Sequence, residues 1–125
     1  MSPANKVITY IKNFYELKNI LQSSPGLVVV MFGAEWCEPC KKINSVVYKW
    51  FSNSTIHIQC CYIDIDECRE LFNYLNTKKI IFSLPSILCW VRGNESYSPD
   101  DMVNEGDPEK VTEFFNRCME KLSKK

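Results

Sequence analysis

The sequence predicts an α/β fold: a central mixed β-sheet flanked by helices on both faces. Three observations carry this. Leu27 to Phe32 is a continuous apolar, β-branched run, as in a strand buried on both faces. From Cys37 to Ser52, Ile43, Val46, Val47, Trp50 and Phe51 fall at i, i+3, i+4, i+7 and i+8, which makes one apolar helix face. Strand-like and helix-like segments alternate, β-α-β-α-β and then β, β, α, the order of a mixed sheet covered by helices.

Taken in order, Val7 to Tyr10 reads as a short β-like start. Asn13 offers an N-cap with Glu16 three residues on, a capping-box pattern, and Phe14, Leu17, Ile20 and Leu21 follow at helical spacing. Pro25-Gly26 stops that helix. After the Leu27 strand and the Cys37 helix, Ile56 to Ile65 is the next strand, and Asp66 is placed to cap a short helix through Leu75. Ile80 to Phe82 leads into Leu84-Pro85-Ser86. Ile87 to Arg92 is a strand closed by the turn signal Gly93-Asn94. Ser96 to Glu105 fits either a short strand or an irregular stretch. Asp107-Pro108 supplies N-cap and N1 for a last helix, with Val111, Phe114, Phe115, Cys118 and Leu122 as its apolar stripe.

The 125 residues show no repeat, low-complexity tract or linker, which predicts one domain over 1–125. Fifteen basic residues balance fifteen acidic ones, so nothing in the charge calls for nucleic acid or an anionic membrane as partner. Lys121, Lys124 and Lys125 read as a solvated helix end. The opening Met1-Ser-Pro-Ala-Asn-Lys lacks the apolar core of a leader, and no apolar run reaches the ~18 residues of a span, so the expectation is a cytoplasmic protein. The seven cysteines, an odd number with Cys60 and Cys61 adjacent, make a poor disulfide framework. Thiols in this number suit a reducing compartment, where Cys-x-x-Cys is catalytic or metal-binding rather than structural.

The chemistry centres on Trp36-Cys37-Glu38-Pro39-Cys40. A buried strand ends, a short connection follows, and Cys37 then sits at a helix start. Unpaired N–H groups and the positive end of the helix dipole stabilise a thiolate there, and the thiolate is the nucleophile. Cys37 is therefore the expected attacking sulfur. Cys40, one turn on, is placed to attack the resulting mixed disulfide. Pro39 costs little in a first turn. A zinc alternative would join Cys37-x2-Cys40 to His57-x2-Cys60. Against it, His57 and Cys60 should point to opposite faces of one strand.

The segment from Leu27 through Trp36-Cys37-Glu38-Pro39-Cys40 to Lys41 resembles the active-site strand, loop and helix start of thioredoxin. Ile63-Asp-Ile-Asp-Glu-Cys68 and Ser83-Leu84-Pro85-Ser86 add supporting matches in the same order. The resemblance implies the thioredoxin fold, with Pro85 as the family's cis-proline. It also implies a backbone at Leu84 that pairs with an extended substrate segment, and a docking surface shaped by Leu84 and Trp36.

Three departures accompany the resemblance. Glu38 replaces the family's usual glycine and sets a negative charge beside Cys37, which disfavours the thiolate. Met31 stands where the family carries a buried aspartate held to shuttle a proton to the resolving cysteine, and Tyr62 where some members carry its lysine partner. Asn73 to Ser83 and Glu95 to Asp107 look longer than the usual connections. Of the other cysteines, Cys60, Cys61, Cys89 and Cys118 read as small buried hydrophobes. Cys68 reads as the more exposed one and the best candidate for a regulatory thiol. His57 reads as a strand residue without catalytic duty.

The expected activity is reduction of protein disulfides through the Cys37/Cys40 dithiol. No bound cofactor or metal is expected, an NADPH-dependent thioredoxin reductase is the implied upstream partner, and the chain is expected to be a monomer. A glutathione-coupled role is a near alternative. A binding or scaffold module with weak redox activity is the rival from another class.

Overall fold

An uninterrupted apolar strand, Leu27–Gly33 (β1), is buried at every residue and lies inside a four-stranded sheet. The computed structural model describes residues 5–124. Residues 1–4 and Lys125 lie outside it, and with them most of the opening segment and the last lysine of the basic run. The element order is α1 (Phe14–Gln22), β1, α2 (Glu38–Ser52), β2 (Ile58–Asp64), α3 (Arg69–Thr77), β3 (Ser86–Val91), β4 (Asp101–Val103) and α4 (Pro108–Ser123). The sheet runs β2-β1-β3-β4, with β2 parallel to β1 and the other two pairings antiparallel.

Helices cover the sheet in pairs. Trp50 of α2 stacks on Phe115 of α4 at 4.2 Å, and Phe14 of α1 stacks on Tyr74 of α3 at 5.0 Å. The helix starts follow local capping chemistry. Asn13 Oδ1 accepts from the Glu16 N–H and Asp107 Oδ1 from the Glu109 N–H. Glu16 reaches back to the Lys12 N–H rather than to that of Asn13, so the box is shifted by one residue. Asp101 Oδ2 takes Arg117 Nε at 2.8 Å and Lys121 Nζ at 2.9 Å, tying the short strand β4 to α4. No helix among the described residues is long and apolar enough to cross a membrane.

Several expectations need correction. Val7 to Tyr10 is not a strand: only Ile8 bridges Cys61, at the outer edge of β2. The strand expected over 56–65 is trimmed to Ile58–Asp64, and His57 lies in the preceding turn. Asp66 does not cap α3; Cys68 holds that position with no side-chain cap bond. The long connections shrink, because Asn73–Thr77 continues α3 and Asp101–Val103 forms β4. Cys68 is 1% exposed, not the open thiol its place near a helix start suggested.

Candidate active site

β1 ends at Gly33, and four residues later Cys37 is the N-cap of α2. In this cap the Cys40 N–H donates to Cys37 Sγ at 3.2 Å. The two sulfurs are joined as a disulfide, with Cα atoms 5.3 Å apart. Cys37 is 4% and Cys40 1% exposed, so both sulfurs lie largely below the surface. Pro39 occupies the first turn, where no N–H is needed. Glu38 points outward, 75% exposed, and pairs with Lys41 Nζ at 3.0 Å. Solvent and that partner both weaken its field at Cys37.

Trp36 is 62% exposed yet fixed, because its indole N–H donates to Asp66 Oδ2 at 2.8 Å. Asp66 Oδ1 accepts from Arg69 at 2.9 Å. This use of Asp66 explains why it is not the helix cap: its carboxylate serves the neighbouring loop and the first turn of α3. The peptide bond between Leu84 and Pro85 is cis.

A groove of about 620 Å³ brings Trp36, Cys37, Glu38, Pro39 and Leu84 together. Cys40, Pro85 and Met31 are buried and do not line it. Of its other walls, Ser83 stood in the Ser83-Leu84-Pro85-Ser86 match, whereas Ile65, Arg69, Phe72 and Phe82 were not singled out as site residues. Phe82, 68% exposed and three residues before Pro85, carried a legible hint, an aromatic in a loop. Gly106 was missed as well. A Cβ there would lie 2.8 Å from Pro39 Cβ and 2.9 Å from the Pro39 carbonyl oxygen, so the glycine lets the β4–α4 loop press against the active-site turn.

The other thiols are buried. Burial pushes Cys60 up to about 11, and it raises Cys61 and Cys68 as well. A hydrogen bond with Cys89, together with burial, raises Cys118. The zinc set does not come together. His57 precedes β2 beside Leu27, whereas Cys37 follows Gly33 at the far end of β1, roughly 20 Å away at the usual rise of a strand. Among the described residues no three His, Cys, Asp or Glu side chains group as a metal site would require.

Comparison with known proteins gives one consistent answer. The Thioredoxin family model matches residues 7–117. Thioredoxin 3 of Plasmodium falciparum is 30% identical over 89% of this chain, and the match spans 59% of that protein's length. Thioredoxin-2 of Saccharomyces cerevisiae is 30% identical over 71% of this chain and 81% of its own. The solved thioredoxin of Malassezia sympodialis superposes with a TM-score of 0.67 at 22% identity, covering 90% of this chain and 94% of its own; that likeness is one of fold.

Proposed function

The chain belongs to the thioredoxin family, and on that premise we propose that it is a protein-disulfide oxidoreductase working through Cys37 and Cys40, with residues 1–125 forming one thioredoxin-like domain. The observation that carries the reading is the Cys37–Cys40 pair at the start of α2, with a backbone N–H aimed at Cys37 Sγ. In the reduced protein that N–H and the helix dipole favour a Cys37 thiolate.

The thiolate attacks one sulfur of a substrate disulfide. A Cys37–substrate bond forms, and the other substrate sulfur leaves with the electron pair. Cys40 then attacks Cys37 Sγ, the internal disulfide forms and the second substrate sulfur leaves. Two electrons have passed from the dithiol to the substrate. Trp36 walls the groove, Leu84 and Pro85 offer an extended edge to the substrate backbone, and Glu38, Pro39 and Met31 tune the two sulfurs. The dithiol itself is the redox group, so no bound cofactor is required. A thioredoxin reductase drawing on NADPH would restore it, and a reducing compartment such as the cytoplasm suits the buried free thiols.

Reduction of insulin disulfides with dithiothreitol as electron source tests this. Wild-type protein accelerates the reaction and Cys37→Ser abolishes the acceleration; a rate unaffected by that change rules the mechanism out. Met31, fully buried beside the pair, favours a second reading as a scaffold with weak redox activity. Acceleration close to that of the dithiothreitol blank would support that reading instead.

A further inference from the structure

Cys40 must lose its thiol proton before its sulfur can attack, yet it is 1% exposed. β1 offers no ionisable side chain beside it. A Cβ on Gly33 would stand 3.4 Å from Cys40 Sγ, 3.6 Å from Met31 Cε and 3.6 Å from the Tyr62 hydroxyl. The missing side chain therefore leaves a space bounded by the sulfur, a methyl group and one polar oxygen. Cys40 Sγ and that oxygen are close enough for one or two waters to bridge them.

Tyr62 connects this space with the elements around it. Cys40, Asn44 and Tyr48 recur at i, i+4 and i+8 on α2, so they form one stripe of the helix. Tyr62 pairs in register with Met31, and Asp64 with Gly33. The Tyr62 hydroxyl donates to Asn44 Oδ1 at 2.6 Å, and its ring packs 5.3 Å from Tyr48. Tyr62 also lines a cleft of about 430 Å³, together with Ala34, Glu35, Lys41, Asn44, Tyr48 and Asp64.

We propose that Tyr62, oriented by Asn44, is a positioning residue for the deprotonation of Cys40: its hydroxyl anchors water in the space beside Gly33, and that water carries the Cys40 proton to the cleft. The proposal rests on the oxidoreductase reading above. With its hydrogen given to Asn44, the hydroxyl oxygen accepts from the water, and the water is left free to accept from the Cys40 thiol. The S–H bond breaks and the proton passes through water into the cleft. The electron pair left on Cys40 Sγ forms the bond to Cys37, and the substrate sulfur leaves with the pair of the broken mixed disulfide. Burial, and after it Tyr48, hold the Tyr62 phenol above its ordinary pKa, so it stays neutral and organises water rather than acting as the base. The charged and titratable groups around the route are Lys41 and Tyr48 from α2, Glu35 from the β1–α2 connection and Asp64 from β2. The two carboxylates are its natural proton acceptors.

Ellman's reagent, 5,5′-dithiobis(2-nitrobenzoate), separates the steps. Reduced protein releases one nitrothiobenzoate when Cys37 attacks and a second when Cys40 resolves the mixed disulfide. Tyr62→Phe keeps the ring and removes the hydroxyl. Gly33→Ala fills the space at ordinary contact distances. Both variants should leave the first release unchanged and slow the second about tenfold near neutral pH, less than the roughly 10²–10⁴-fold of a group that itself moves the proton, because Tyr62 acts only through water. The deficit should shrink as pH rises, because hydroxide then takes the thiol proton without the anchored water. A second release equal to wild type at every pH, or reduced by one constant factor across pH, overturns the proposal. Should Gly33→Ala not fold, Tyr62→Phe decides alone. Wild-type protein that never releases the second equivalent overturns the oxidoreductase reading, and the relay with it.

Discussion

The indole N–H of Trp36 donates to Asp66 Oδ2 at 2.8 Å, joining the β1–α2 connection to the turn after β2 across 30 residues. Trp36 is thereby held upright at the groove although most of its surface meets solvent. Asp66→Ala removes this tether and the Arg69 pair together. The KM for a protein disulfide should rise about threefold to fivefold, the worth of one modest hydrogen bond, with kcat little changed. Steady-state kinetics that show an unchanged KM would deny Trp36 a docking role.

Removing the charge at Glu38 should make Cys37 more acidic. The direction follows from charge: a carboxylate near a thiolate disfavours it. The size is limited because Glu38 is exposed and paired with Lys41. Thiolate absorbance against pH should show Cys37 ionising at lower pH in Glu38→Gly than in wild type. Added salt should shrink the difference. Equal or inverted values would remove Glu38 from the account.

Met31→Asp puts an acid beside Cys40 and the Tyr62 hydroxyl, in a position with no exposure. Burying the new polar group should cost roughly 2–4 kcal/mol of stability. Resolution of the mixed disulfide should nevertheless speed up, since the carboxylate is a direct proton acceptor. Turnover that stays level or drops in a folded variant, checked by denaturant unfolding, counts against a proton-handling role for this position.

Gly106→Ala tests the contact between the β4–α4 loop and the active-site turn. The new Cβ meets the Pro39 backbone, which cannot swing aside like a side chain. Stability should fall by about 1–3 kcal/mol, the usual cost of overpacking, and the insulin-reduction rate should fall with it. Wild-type values in both assays would mean that the loop simply relaxes.

Asp101 sets an acid dependence. Burial opposes its carboxylate, but hydrogen bonds from Arg117 and Lys121 outweigh this and hold its pKa below the ordinary value. A carboxyl whose pKa is lower folded than unfolded stabilises the fold above the unfolded value of 3.8, and that contribution fades as pH falls through the folded one. Asp101→Asn should therefore cost about 1–2 kcal/mol at neutral pH. The gap to wild type should narrow in urea unfolding series taken below pH 3.8. A gap independent of pH would assign the cost to shape alone.

Local patterns made much of this protein legible. The unbroken apolar run of β1 implied burial on both faces. The spacing of Ile43, Val47 and Phe51 implied the inner face of α2, and Asp107-Pro108 marked the start of α4. Each rests on neighbours in sequence. The pair Cys37 and Cys40 was legible for the same reason, since a strand end, a short connection and a helix start are all local features. What failed depended on distant partners. Val7 to Tyr10 has strand-forming residues, but only Ile8 reaches the edge of β2. Asp66 has a capping side chain, but Trp36 and Arg69 claim it. Cys68 stands near a helix start, yet packing turned it into the core.

By itself, then, the sequence determined the main strands and helices from α1 onward and the place of the Cys37–Cys40 pair at the start of α2, because periodicity and helix-end chemistry act within a few residues. The tertiary structure alone decided which side chains wall the groove and what surrounds the second sulfur. Phe72 and Phe82 share the groove with Trp36 through the placement of α3 and the loop before Pro85, and Tyr62 faces Cys40 across a space that exists only because Gly33 of the neighbouring strand has no side chain. Contacts of that kind depend on strand register and helix placement, which no short stretch of sequence encodes.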